Sequence, residues 1–165
     1  MKELEKKFVV WAENHDLNIE LSDLSKITEL DCSNKTVYEL PDLSVVPNLE
    51  ILNCGTNHLT YLPSLSRLHS LKKLFCYYNN LTELPSLNNL SNLELLNCSD
   101  NELTTLPNLS NCTKLKRIIM WRNEITILPD LTDIIDDLSQ FAITYNKLPY
   151  KDKEGYKKWF NKHSK

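Results

Sequence analysis

The sequence predicts an α/β fold, a solenoid of short repeats whose strands form one parallel β-sheet, closed by a helix at each end. Three observations predict it. Comparing the chain with itself gives a match every 22 residues. Apolar residues recur at fixed places within each match, and amphipathic stretches flank the matching segments. At 165 residues the chain is one domain's worth, so residues 1–165 are expected to form a single domain.

The repeat boundaries follow from the recurring leucine or isoleucine that opens each copy, as in "LKKLFCYYNNLTELPSLNNLSN" from Leu71. Residues 1–26 are predicted to hold a helical cap and a partial repeat, with Leu21 and Leu24 in its apolar positions. Residues 150–165 are predicted to form a second cap helix. The repeats between these caps are residues 27–48, 49–70, 71–92, 93–114, 115–137 and the incomplete 138–149.

Each repeat begins with a short strand, in which alternate side chains point to opposite faces. In the third copy Leu74 and Cys76 point into the core. Lys73, Phe75 and Tyr77 point outward. One repeat cannot bury its own leucines, so stacked repeats bury a continuous core and place their strands side by side. The chain returns through a Leu-Pro-x-Leu segment, where proline has no amide hydrogen to satisfy.

The repeat pattern L-x-x-L-x-C-x-x-N-x-L-T-x-L-P-x-L-x-x-L-x-x resembles the leucine-rich repeat family, and its short form is similar to repeats in giant-virus and bacterial proteins. The resemblance covers residues 21–149. It implies a right-handed, arc-shaped solenoid with the parallel sheet on the concave side and irregular or 3-10 segments on the convex side. It also implies that partners bind on the concave sheet.

An asparagine column follows the strands, and the resemblance implies a structural role for it. In this family the side chain lies inside and hydrogen-bonds backbone groups of its own turn and of the next coil, which suits an amide with two donors and an acceptor. The first repeat departs from the pattern, because Lys35 occupies the position and Asn34 is displaced by one. The column consists of Asn57, Asn79, Asn101, Asn123 and Asn146.

A second column holds cysteine in four repeats, followed by Met120 and Ile143 in the last two. One interpretation is a metal or redox ladder. The other, which Met and Ile in the same column favour, is that cysteine serves as a small buried apolar residue. Thiols one repeat apart also lack the C-x-x-C spacing of zinc sites, so no metal or cofactor is expected. The residues predicted to be core thiols are Cys32, Cys54, Cys76, Cys98 and, in an outer column, Cys112.

The N-terminal stretch is predicted to cover the first coil. Leu4, Phe8 and Trp11 are spaced to share one face of a helix from about Lys2 to Asn14. Because an open solenoid end exposes its core, capping is the preferred role for this face.

The C-terminal stretch is predicted to cap the other end. Tyr156, Trp159 and Phe160 share one face of a helix predicted over residues 151–161. Residues 147–165 also contain seven lysines against two acidic residues. A basic aromatic helix that contacts a membrane or nucleic acid is therefore the alternative to capping.

Composition excludes several function classes. No apolar run reaches the 18 residues of a membrane span, and the N-terminus lacks the apolar core of a secretory signal. Gly55 and Gly155 are the only glycines, which excludes P-loop and dinucleotide fingerprints. The four histidines suggest no Ser-His-acid or Cys-His arrangement, and too few residues follow the last repeat for a catalytic domain. The chain is therefore not expected to be an enzyme.

The cysteines also predict a compartment. Five cysteines, an odd number, without a secretory signal favour reduced thiols. A cytoplasmic location is expected, which for a viral protein means the cytoplasm of the host.

The outward strand positions are free to vary because the leucines fill the core, and their content predicts a binding face. Apolar and aromatic residues collect in the middle and later repeats, and acidic residues in the first. Apolar clusters with a charged rim are typical of interaction sites, with Tyr, Trp and Arg as common anchors. The alternatives are packing among neighbours across the sheet and cover by a terminal helix. The predicted partner-binding residues are Ile51, Lys73, Phe75, Tyr77, Tyr78, Leu95, Arg117, Ile119, Trp121, Arg122 and Tyr145.

Three hypotheses about function follow. The leading one is a non-enzymatic module that binds a protein or peptide on the concave face. The second is a recognition or adaptor subunit of a multi-protein enzyme of the ubiquitin ligase or phosphatase type. The third is a structural protein that self-associates as a homo-oligomer through the apolar patch or an open solenoid end. Nucleic acid is not an expected partner.

Overall fold

The computed structural model describes residues 2–17 and 22–163; Leu21, assigned above to a partial repeat, lies outside them. Helix α1 covers Glu3–Asn14 and helix α2 covers Lys153–His163. Six strands lie between them: β1 Glu29–Asp31, β2 Ile51–Asn53, β3 Lys73–Phe75, β4 Leu95–Asn97, β5 Arg117–Ile119 and β6 Gln140–Ala142.

The six strands form one parallel sheet in chain order, β1 to β6, which confirms the predicted solenoid. Leu30 pairs with Leu52, and Leu52 with Leu74, so each strand meets the next 22 residues later. The step between β5 and β6 is 23 residues, from Ile118 to Phe141, because that repeat is one residue longer. Side chains at the same repeat position therefore stack in columns along the sheet.

Short 3-10 turns occur on the return side of the coils, as the resemblance implied, at Leu24–Lys26, Leu43–Val45 and Ile135–Asp137. The side chains of Asp23 and Asp42 cap the first two by accepting from the amides two residues later. Such a cap satisfies a backbone donor that the turn leaves unpaired. Between these turns and the sheet, the leucine columns are buried in one continuous core.

The asparagine column lies inside the solenoid as predicted, but its hydrogen bonds between coils go to the preceding coil and not to the next one. The amide of Asn79 donates to the carbonyls of Cys76 and Tyr77 in its own turn, both at 3.1 Å, and to that of Cys54 at 3.0 Å. Its Oδ1 accepts from the amide of Leu59 at 2.9 Å. Cys54 and Leu59 belong to the preceding coil, so the prediction of contacts with the next coil was wrong. Each asparagine joins its coil to the one before.

The first coil departs from the asparagine pattern, as its sequence indicated. Asn34 is exposed with a backbone φ of 54°, so it is not a displaced member of the asparagine column. The amides of Lys35 and Val37 instead donate to Oδ1 of Asn57, at 3.1 and 2.9 Å. Lys35 Nζ donates to the carbonyl of Asp16, which joins this coil to the end of α1.

One position of the repeat lies in the left-handed region in all six strand-bearing coils although no glycine occupies it, and Thr36 adds a second such residue in the first coil. For residues with a β-carbon this conformation costs about 1–2 kcal/mol each. Hydrogen bonds between coils offset the cost; for example, the amide of Tyr78 donates to the carbonyl of Ser99 at 3.0 Å. The column, with φ between 51° and 59°, consists of Asn34, Thr56, Tyr78, Asp100, Arg122 and Tyr145.

Helix α1 covers the first coil with Phe8 and Trp11 of the predicted face, but not with Leu4. Phe8 and Ala12 are fully buried, and the indole Nε1 of Trp11 donates to the carbonyl of Glu39 at 3.2 Å. Leu4, predicted to share this face, is 45% exposed. The buried stripe is centred on residues 8 and 12, one turn apart. Leu4 lines an open surface pocket with Leu24 and Val45 of the first coils.

Helix α2 packs on the last coils through Tyr156, which is fully buried. The Tyr156 hydroxyl accepts from the amide of Leu131 at 2.8 Å and donates to the carbonyl of Pro129 at 3.2 Å. Trp159 and Phe160 are partly buried against the core. The aromatic face of this helix is thus used in capping, as preferred above.

The five cysteines are free and buried, which confirms that they belong to the core. Burial raises the pKa of Cys32 and Cys98 to about 12 and that of Cys112 to about 11. The pKa values of Cys54 and Cys76, also raised by burial, lie well above the usual value. Because the thiolate is the reactive form, we expect these cysteines to react slowly with thiol reagents in the folded protein.

Candidate concave binding face

The strand register places the outward side chains in three columns across the sheet. The first column consists of Glu29, Ile51, Lys73, Leu95, Arg117 and Gln140. The second column consists of Asp31, Asn53, Phe75, Asn97, Ile119 and Ala142. The third, two residues further along each repeat, consists of Ser33, Gly55, Tyr77, Ser99, Trp121 and Thr144.

The predicted binding residues differ in how much of them remains accessible. Leu95 is only 5% exposed, so neighbours on the sheet cover it and it forms the buried base of the concave face, which we call its floor. Tyr78 and Tyr145, in the left-handed column, are 53% and 75% exposed. The half-buried members are Ile51, Phe75, Tyr77, Ile119 and Trp121, and the exposed cations are Lys73, Arg117 and Arg122.

Tyr77 lies on the backbone of the preceding repeat. A β-carbon built on Gly55 would be 2.6 Å from Cε1 and Cζ of the Tyr77 ring, closer than atoms approach. Glycine at this position therefore makes room for the hydroxyl end of the ring. In the sequence analysis Gly55 served only to exclude phosphate-binding loops. The signal that could have revealed this contact is that Gly55 and Tyr77 occupy the same position of neighbouring repeats.

Two asparagines of the second column fix the turn at the end of their strands. Oδ1 of Asn97 accepts from the amide of Ser99 at 3.2 Å and from its hydroxyl at 2.8 Å. Oδ1 of Asn53 accepts from the amide of Gly55 at 3.3 Å. Ser99 is 3% exposed. Each of these repeats thus offers a small, internally bonded surface beside the repeat that carries a large aromatic.

The concave face has a period of 44 residues that the 22-residue pattern concealed. "LEILNCG" from Leu49 matches "LELLNCS" from Leu93, and "LKKLFCY" from Leu71 matches "LKRIIMW" from Leu115. Comparing each repeat with the one two places away would have found it. The upstream unit is Ile51, Asn53, Gly55, Lys73, Phe75 and Tyr77, and the downstream unit is Leu95, Asn97, Ser99, Arg117, Ile119 and Trp121.

The positive charges of the face follow the same period. Arg117 donates from Nε to Oε1 of Gln140 at 2.7 Å, which orients its guanidinium. Lys73, its counterpart, has no ion-pair partner among the residues that the structure describes. The acidic Glu29 and Asp31 lie on β1, at the other end of the sheet. The face is therefore basic over its middle and later repeats.

An aromatic and charged cluster borders the downstream unit. The Arg122 guanidinium lies 4.9 Å from the ring centroid of Trp121 and 5.7 Å from that of Tyr145. Arg122 also forms an ion pair of 3.5 Å with Asp100. Stacking on two rings restricts the guanidinium and leaves Tyr145 on the outer side.

The described parts of the two helices leave the concave face open. Helix α1 contacts the 3-10 turn Leu43–Val45, on the return side of the first coils. Helix α2 bonds to the return segment of the fifth repeat, where Lys153 Nζ donates to the carbonyl of Asp136 at 2.9 Å. The described parts of the two helices therefore do not cover the concave face, which was one of the alternatives to a binding role.

His58 and His69 contact neighbouring groups, and metal-ligating side chains are not clustered in the described residues. Within residues 2–17 and 22–163, no three His, Cys, Asp or Glu side chains are grouped to hold a metal ion. His58 stacks on Tyr38 with ring centroids 5.1 Å apart, and His69 lies 3.4 Å from the carbonyl of Asn89. Neither α1 nor α2 has the length and apolarity that a bilayer span requires.

The fold is similar to solved bacterial structures. The leucine-rich repeat domain of a Shigella effector matches with 30% identity and a TM-score of 0.70, over 89% of this chain and 68% of that domain. A leucine-rich repeat protein of Leptospira interrogans matches with 26% identity and a TM-score of 0.71, over 82% of this chain. An internalin of Listeria monocytogenes, at 23% identity and a TM-score of 0.68 over 88% of this chain, shares the fold.

Sequence comparison agrees with the structural one. A family profile for leucine-rich repeats, two copies, matches residues 69–111. No curated protein matches the chain. The chain spans 35% of the Leptospira protein and 43% of the internalin. These neighbours are bacterial and give no support to a viral origin.

Proposed function

The chain belongs to the leucine-rich repeat family, and we propose that it is a non-enzymatic module that binds a protein or peptide on its concave face. Domains of this family commonly serve as interaction modules. The proposal for this chain rests on the content of its own sheet surface.

The observation that carries the proposal is the pairing of accessible apolar groups with cations in β3 and β5. Phe75 and Ile119 are half-buried and keep part of their surface accessible beside the exposed Lys73 and Arg117. A sheet face that needed only solubility would carry small polar residues there. Apolar surface kept accessible inside a charged rim is typical of interaction sites.

Packing across the sheet, the remaining alternative, contributes to the surface without accounting for all of it. Leu95 is covered by its neighbours, and the Tyr77 ring is held against Gly55. Holding a large side chain in one orientation before binding reduces the entropy that binding must overcome. Packing therefore prepares the face for binding. Leu95 is buried beneath the surface, and the aromatic side chains are the groups that contact a partner.

A capture experiment in extracts of the native host tests the proposal. The wild type is compared with the concave triple variant Phe75→Ala/Tyr77→Ala/Trp121→Ala. The matched control replaces three exposed residues outside the sheet, Tyr38, Tyr61 and Ile127, by alanine. We expect the concave variant to lose the partner and the control to retain it, with both remaining folded by circular dichroism.

Two outcomes would contradict the proposal. If the concave variant captures the partner as well as the wild type, the binding surface lies elsewhere. A molecular mass that rises with concentration, and falls in the concave variant, identifies self-association as the use of this face. Catalytic activity that co-purifies with the captured partner distinguishes an adaptor subunit from a free-standing module.

A further inference from the structure

The upstream and downstream units are displaced by two strands along the sheet. Neighbouring strands lie about 4.7–4.9 Å apart, so equivalent backbone positions of the two units are about 9.6 Å apart. The strand positions that carry Tyr77 and Trp121 repeat at this interval in the third column, and those of Lys73 and Arg117 in the first. A ligand that uses both units needs a structural repeat of the same length.

We propose that the concave face binds an extended peptide in the polyproline II conformation, with proline and an acidic residue each recurring at every third position. This inference rests on the proposed function and specifies the partner. Three residues of polyproline II advance about 9.3 Å, within a few tenths of an ångström of the two-strand interval. Two residues of a β-strand advance about 6.7 Å and two turns of an α-helix about 10.8 Å, so neither matches as well.

The aromatic groups suit a proline-rich ligand. Proline rings dock against aromatic side chains in grooves that recognise polyproline II. The Tyr77 ring is held on the backbone at Gly55, and Trp121 occupies the same position two strands later. The Tyr77 hydroxyl and the Trp121 indole nitrogen have no hydrogen-bond partner among the described residues. Both can donate to peptide carbonyls, which polyproline II leaves without internal bonds.

The cations select acidic residues at the same interval. Because polyproline II has three residues per turn, residues three apart lie on one face of the peptide. Acidic side chains on that face meet Lys73 and Arg117, while prolines on the adjacent face meet the aromatics. Glu29 and Asp31 on β1 repel such a peptide, which confines it to the repeats from β2 onward.

Fluorescence anisotropy with labelled nine-residue peptides tests the proposal on the full chain. The probe has three Asp-Pro-Pro units. One control has the same composition, with three consecutive aspartates followed by six prolines. A second control has three Asp-Gly-Ser units, which keep the charge and its spacing but not the conformation. We expect the probe to bind at least tenfold more tightly than either control.

Charge reversal locates the peptide on the face. Lys73→Glu and Arg117→Glu should each weaken binding of the probe by about tenfold, and Tyr77→Ala and Trp121→Ala by a similar factor. Lys114→Glu makes the same change in net charge at an exposed position outside the sheet and should leave binding unchanged.

Three outcomes overturn the proposal. Equal binding of the clustered-aspartate peptide means that charge alone attracts it. Equal binding of the Asp-Gly-Ser peptide means that conformation is not recognised. If no peptide binds at millimolar concentration while the concave triple variant still loses its partner, the binding face stands and only its polyproline II ligand is wrong.

Discussion

The hydroxyl end of the Tyr77 ring lies over the α-carbon of Gly55 in the preceding repeat, where a β-carbon would come within 2.6 Å of two ring atoms. The glycine is not there for an unusual backbone angle, because its φ is not positive. Its role is to leave space for the ring. Since Gly55 and Tyr77 belong to the same unit of the concave face, this contact sets how one of its two aromatic positions is presented.

A double-mutant cycle tests this contact. Gly55→Ala forces the Tyr77 ring to move, which costs packing, and we expect the cost to disappear in a Tyr77→Ala background. The coupling free energy between the two positions should be about 1 kcal/mol, measured by urea unfolding of the four proteins. If Gly55→Ala changes the free energy of unfolding equally in both backgrounds, the ring does not rest on the glycine in solution.

The two adjacent asparagines Asn79 and Asn80 offer a matched test of the internal ladder. Asn79→Ala removes an amide that bonds three carbonyls and the amide of Leu59. We expect it to lower the free energy of unfolding by about 1–3 kcal/mol, because buried backbone groups lose their partners. Asn80→Ala, one residue away and exposed, should change it by less than about 0.5 kcal/mol. Equal losses in chemical denaturation would argue against a special role for the buried position.

The buried thiols predict a loss of stability at alkaline pH. An unfolded thiol ionises near 9.0, whereas burial raises the pKa of Cys98 to about 12. Between these values the unfolded state releases a proton that the folded state keeps, so stability present below pH 9 is lost as the pH rises toward 12. Each such thiol contributes a slope of up to about 1.4 kcal/mol per pH unit.

Urea unfolding at pH 8, 9 and 10, under reducing conditions, measures this slope. Cys98→Ala should reduce the slope of the unfolding free energy against pH by roughly the contribution of one thiol. This reduction is expected whatever the substitution does to stability at neutral pH. An unchanged slope in this variant would show that Cys98 is not protonated and buried in the folded state.

The left-handed column predicts a stabilising substitution. Thr56 has a φ of 56°, which is strongly unfavourable for a β-branched residue. Asparagine adopts this conformation more readily. The hydrogen bond that the Thr56 backbone amide donates to the carbonyl of Tyr77 does not depend on the side chain. We expect Thr56→Asn to raise the free energy of unfolding by about 1 kcal/mol, seen as a higher melting temperature. Thr60→Asn, exposed and outside the left-handed column, is the control and should have no effect.

Residues that look alike in the repeat pattern differ in the folded chain. Ile51 and Leu95 occupy the same column 44 residues apart, yet Ile51 is half-buried and Leu95 is buried. Leu4 has the spacing of a cap residue but is 45% exposed in the folded chain. Exposure of this kind depends on the size and orientation of neighbours in adjacent coils and at the solenoid ends.

The sequence by itself determined the solenoid, its parallel sheet, the buried leucines, cysteines and asparagines, and the residues of the concave face. It could do so because a 22-residue period puts the same position of every coil in the same environment. Only the tertiary structure decided that the asparagines bond to the preceding coil, that Tyr77 rests on Gly55, and that Leu95 is floor. These features depend on which of its two neighbouring coils a side chain contacts. Because the coils on either side carry the same repeat pattern, the sequence pattern does not distinguish between them.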